Sequence, residues 1–115
     1  VEEGYQAMKD FIEEADTRPT AFFAASDTLA IGAMRALQEA AIRVPEDISI
    51  IGFNDISVAK YVSPTLTTVK VHTEWMGELA VETMKELCLN TPPVPRKIIV
   101  GTEFIQRDST KHSSK

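Results

Sequence analysis

The chain has 115 residues, 43% of them hydrophobic and 25% charged, which suits one small globular domain with a modest core. Its 12 Lys and Arg against 17 Asp and Glu give a net charge of −5 and no basic face for nucleic acid. No apolar run approaches the ~20 residues of a membrane span, and the single cysteine, Cys88, excludes an internal disulfide or a multi-thiolate metal site.

Residues 4–17 read as an amphipathic helix, with Tyr5, Met8, Phe11, Ile12 and Ala15 at helical spacing. Arg18-Pro19 ends it, because the residue before proline avoids the helical region. Residues 20–25 form a short apolar run that reads as a buried strand. Ser26 or Asp27 caps the next helix, which is expected to reach about residue 42. Ala30, Ala33, Met34, Leu37 and Ala41 make its stripe, and Ile31 widens it.

A second strand is expected over 48–53, then a short helix or irregular connection over 56–63. Residues 66–71 alternate as an extended segment. A helix over 73–90 follows, stopped by Asn90-Thr91-Pro92-Pro93, with Cys88 as a small buried hydrophobe within it. The last strand is expected over 98–105, and 111–115 as a disordered polar tail.

Strands alternating with helices imply an α/β fold, a parallel sheet flanked by helices. Two well-formed strands before the extended crossover make a thin sheet, so the chain reads as part of a larger fold. The most telling stretch is Arg43-Val44-Pro45-Glu46-Asp47-Ile48-Ser49-Ile50-Ile51-Gly52-Phe53-Asn54-Asp55. It runs from a helix exit through a turn into an isoleucine-rich strand that ends on polar groups. Ligands of open α/β sheets bind beyond the carboxyl ends of strands, so Asn54 and Asp55 point to a pocket.

Other chemistry finds no support. His72 and His112 lack partners at metal-ligand spacing, the glycines are isolated, and no Ser-His-Asp set has nucleophile-elbow placement. An enzyme is not expected, nor a cofactor.

Three segments together resemble the effector-binding domain of the LacI/GalR family of bacterial transcription repressors. They are 19–33 (PTAFFAASDTLAIGA), 43–55 (RVPEDISIIGFND) and 63–69 (SPTLTTV), and the ending 103–110 (EFIQRDST) is similar too. The resemblance implies a partial periplasmic-binding-protein-like fold, with 1–110 supplying mostly the C-terminal subdomain and helix 73–90 belonging to the N-terminal one. The DNA-binding domain would lie outside this chain.

The resemblance also implies site residues. The family usually has an aspartate at Asn54, where it bonds ligand hydroxyls; an amide still donates and accepts, without the charge-assisted bond. The alternative is a turn residue capping its own backbone. Phe23 would stack on a ligand face, or be ordinary strand core. Ser26 would reach the pocket, with Asp27 and Asp55 beside it, or Ser26 and Asp27 would simply cap the helix. Ile31, Met34, Arg35, Tyr61 and Val62 match the family's dimer interface, although the apolar ones could equally be core.

The implied function is the effector-sensing, dimerising portion of a cytoplasmic transcription regulator. It would bind a small molecule, most simply a sugar, in a cleft between subdomains, assemble as a homodimer or higher, reach operator DNA only through the missing domain, and involve no membrane. The alternative is a periplasmic-type sugar-binding protein of a transport system.

Overall fold

The computed structural model describes residues 1–112. Its elements are α1 (Glu2–Glu14), β1 (Ala21–Phe23), α2 (Asp27–Glu39), β2 (Ser49–Ile51), a 3-10 turn (Ser57–Lys60), β3 (Thr68–Lys70), α3 (Thr73–Leu89) and β4 (Glu103–Ile105). They divide into two compact units. The first holds Val1–Lys70 and the chain from Glu103 onward; the second is Val71–Thr102.

In the first unit, β1 and β2 pair in parallel, Phe22 opposite Ile50. The other edge of β2 meets the 65–70 segment: Gly52 N–H donates to the Thr67 carbonyl at 2.9 Å, and Ile51 bridges Thr67 in parallel. β4 then pairs with β3 antiparallel, Thr68 opposite Ile105. The expected strand over 98–105 is therefore shorter. β3 offers only Thr68–Lys70 before α3 begins at Thr73, so Glu103–Ile105 alone find a ladder. Ile98 and Ile99 stay exposed.

The core lies between α1, α2 and the sheet. Ala30, Leu37, Ile50 and Leu66 are wholly buried, and Met8, Met34, Ile42 and Ile48 nearly so. α1 crosses α2 closely because both carry glycine at the contact. A methyl on Gly32 would overlap the Val1 carbonyl, and one on Gly4 the Leu29 carbonyl.

α2 ends three residues earlier than the apolar stripe predicts. Ala41 takes a left-handed φ of 60°. Its N–H donates to the Gln38 carbonyl at 3.1 Å and that of Ile42 to the Leu37 carbonyl at 2.9 Å. This is a Schellman closure, which glycine normally supplies. With alanine there, the sequence carries no stop signal.

A polar seam joins the C-terminal segment to the sheet. Buried Ser109 donates its hydroxyl to the Ile50 carbonyl at 2.6 Å and accepts the Thr67 N–H at 2.8 Å. Lys111, expected in a disordered tail, bonds the Glu46 carbonyl through Nζ at 2.6 Å and Ser49 Oγ through its N–H at 3.3 Å. The rest of that tail, 113–115, lies outside the described residues.

The second unit is α3 with its following segment. α3 buries no residue, and Trp75, Met76, Val81, Met84, Leu87 and Leu89 are exposed along it. Cys88 is exposed as well, against the expectation of burial; a lone helix has no core to receive it. Arg96 reaches back to Glu86 at 2.9 Å.

Candidate functional site: the turn after β2

The hydrophobic run of β2 delivers the chain to Gly52, where no side chain fits, because a Cβ would overlap the Asp27 carboxylate. Asp27 is fully buried. Its Oδ2 accepts the Ile56 N–H at 2.8 Å and its Oδ1 the Thr68 hydroxyl at 2.6 Å. Asp27 was expected among the ligand contacts. The structure corrects this: both oxygens are occupied away from solvent, and the residue braces the turn from below. Its place in the first turn of α2 also suits a negative charge.

Ser26 is the N-cap of α2, with Oγ accepting the Leu29 N–H at 3.3 Å. That hydroxyl also lies 3.0 Å from Thr28 Oγ1, and the residue is half-buried. Capping occupies an acceptor without removing the group from the surface.

The two phenylalanines of β1 diverge as strand alternation requires. Phe22 packs inward, edge-on to Phe11 at 5.3 Å between centroids. Phe23 is 66% exposed and stands edge-on to Phe53 at 6.5 Å. Phe53 comes from the end of β2, and its place beside Phe23 was not read from the sequence, since parallel register decides it.

Asn54 is exposed, with its N–H donating to the Val69 carbonyl at 2.8 Å. Asn54 and Asp55 have φ of 116° and 61°. Asp55 pairs through Oδ1 with Arg107 Nη2 at 2.9 Å. Arg107 is a partner the sequence did not reveal, because it lies far along the chain from Asp55 and the contact follows no local pattern. The carboxyl end of β1 thus carries an exposed aromatic ring, Phe23, and a half-buried hydroxyl, Ser26, and the carboxyl end of its parallel partner β2 carries the exposed Asn54. Amide and hydroxyl both donate and accept. Among the described residues no group of three His, Cys, Asp or Glu could hold a metal.

The residues expected at a dimer interface separate into two sets. Met34 is only 2% exposed and belongs to the core, so it is removed from the surface set. Its stripe faces α1 and the sheet. Ile31 and Val62 are half-buried against that core. Tyr61 is 77% exposed, with Lys60 Nζ 5.5 Å from its ring centre. Arg35 is exposed and pairs with Glu39 at 3.0 Å.

Residues 1–110 match the periplasmic binding protein-like domain family. The lactose operon repressor of Rhizobium radiobacter is 41% identical over 113 residues, 98% of each chain. The chain belongs to the LacI/GalR family. The HTH-type transcriptional regulator GalR of Streptococcus thermophilus is 47% identical over 111 residues, 96% of this chain and 34% of its own length. The chain therefore spans about a third of that relative. A lac repressor dimer bound to operator and the anti-inducer ONPF superposes with a TM-score of 0.87 at 31% identity, covering 93% of this chain and 37% of that one. The family's fold accounts for the α/β architecture, and no helix among the described residues is long and apolar enough to cross a membrane.

Proposed function

We infer that this chain is the effector-sensing and dimerising portion of a cytoplasmic LacI/GalR-type transcriptional regulator. It binds a small molecule, a sugar, at the carboxyl ends of β1 and β2 and so controls operator binding by a DNA-binding domain elsewhere in the protein. In this reading 1–110 belong mostly to one subdomain, and α3 to the other. A ligand acts here only through unequal affinity for the two operator-binding states.

The observation that carries the reading is the exposed Asn54 just past β2, on a turn braced by Asp27, with the exposed Phe23 and half-buried Ser26 at the end of the paired strand β1. Sugar hydroxyls match groups that donate and accept, and a sugar's C–H face suits an aromatic ring. Binding of the anti-inducer ONPF by the lac repressor of like fold supports a small-molecule effector. The family match favours a regulator over a transport protein, and no enzymatic step is invoked.

The test is a thermal-shift screen of sugars and nucleobases against the intact protein, since a ligand specific to the native state raises its stability. Asn54→Ala is expected to weaken the response by about 1–3 kcal/mol, the worth of one buried hydrogen bond to a ligand hydroxyl. An unchanged induction curve would leave Asn54 a turn residue only.

A further inference from the structure

Asn54 and Asp55 are consecutive non-glycine residues at positive φ, a conformation that persists only where the surroundings hold it. Three groups do so. The Val69 carbonyl takes the Asn54 N–H, and Asp27 takes the Ile56 N–H. Those two grip backbone. Arg107 grips the Asp55 side chain.

Arg107 is itself fixed. Its Nη1 donates to the Leu66 carbonyl at 2.9 Å, and its own N–H to Thr67 Oγ1 at 2.8 Å. One guanidinium therefore spans from the core strand segment to the turn. The pair is also sheltered: Arg107 and Asp55 side chains are 17% and 16% exposed, against 68% and 47% for Arg35 and Glu39. A sheltered, directional pair adds little net stability but can select one arrangement over its competitors.

We propose that Arg107 is a positioning residue for the effector: by holding Asp55 it fixes the direction of the Asn54 amide and so sets effector affinity. This rests on the reading of Asn54 as a ligand contact. Arg107 touches no ligand in this scheme; it acts through Asn54.

The experiment is a double-mutant cycle in the intact protein: unaltered, N54A, R107K and the double variant, each checked by circular dichroism. The probe is whichever of galactose, lactose, melibiose, ribose, cellobiose and hypoxanthine raises the unaltered protein's melting temperature most. Its Kd is measured by calorimetry. R107K is expected to weaken binding about 10-fold with Asn54 present and under about 2-fold in N54A, because lysine is a point charge that does not span both acceptors. A general structural weakening would give equal losses in both backgrounds, and that result, or no loss in either, overturns the proposal. If R107K does not fold, Asp55→Asn takes its place under the same criteria. If N54A alone changes nothing, or no probe binds, the reading of Asn54 fails first and the positioning role with it. Additivity on top of a real Asn54 effect defeats only the role of Arg107.

Discussion

The Thr68 hydroxyl donates a 2.6 Å hydrogen bond to Asp27 Oδ1, and both side chains are completely buried. Thr68 opens β3, and Asp27 opens α2, so one bond ties the sheet's third segment to the helix behind the turn. Removing the hydroxyl leaves a carboxylate oxygen without a partner in a place water does not reach. Thr68→Val is expected to destabilise the intact protein by about 1–3 kcal/mol, while Thr68→Ser keeps the donor and loses less. Urea unfolding measures this as a lowered midpoint at constant slope. Equal midpoints for Val and Ser would show that the bond contributes nothing.

Much of this architecture was legible before the structure, for identifiable reasons. The helical spacing of Tyr5, Met8 and Ile12 is a local signal and α1 follows it, but the helix ends at Glu14, three residues before the expected 17, with Ala15 already extended, so Arg18-Pro19 is not its stop. The isoleucine run of β2 likewise marks a buried strand. What was not legible depends on distant partners. Asp27 reads as a cap or a pocket residue, yet its partners Ile56 and Thr68 lie far along the chain. Met34 fits a helix stripe and an interface equally well, and only the packing of α1 assigns it to the core. Ile98-Ile99-Val100 has strand composition, but no ladder reaches it.

Ala41 offers a stabilising change. It is an alanine at the left-handed C′ position of a Schellman closure, with φ of 60°. Glycine takes that conformation without the Cβ clash. Ala41→Gly is expected to raise stability by about 0.5–1 kcal/mol, the usual left-handed penalty less the entropy glycine loses from the unfolded chain. Differential scanning calorimetry of the intact protein checks it. A lower melting temperature would mean that unfolded-state entropy outweighs the relieved strain.

Asp47 sets a pH dependence. The Arg43 side chain and backbone N–H both bond its carboxylate, the latter at 2.8 Å, and hold its pKa below the usual carboxylate range. A depressed carboxylate pKa means the folded state favours the charged form. Its stabilisation is complete above the unfolded-state pKa and disappears as pH falls through the lower folded-state value. The stability gap between the unaltered protein and Asp47→Asn is therefore expected to be widest near neutral pH and to close in acid. Denaturant titrations at several pH values test it, and a gap independent of pH rejects the Arg43 bond as its origin.

Tyr61 and Met34 make the last test, because the structure separates two residues that the sequence grouped together. Met34 is 2% exposed within the core, whereas Tyr61 is 77% exposed on the turn following the 3-10 segment. In the proposed dimer Tyr61 lies at a two-fold contact, so a substitution there acts twice. Tyr61→Glu is expected to leave a folded protein that sediments as monomer at concentrations where the unaltered protein is dimeric. Aromatic anchors of this kind are frequent hot spots. Met34→Ala is expected instead to cost about 2–5 kcal/mol of folding stability by opening a cavity, with assembly altered only as far as folding is lost. Sedimentation velocity paired with circular dichroism distinguishes them. A folded Tyr61→Glu protein that remains fully dimeric would move the interface elsewhere on the surface.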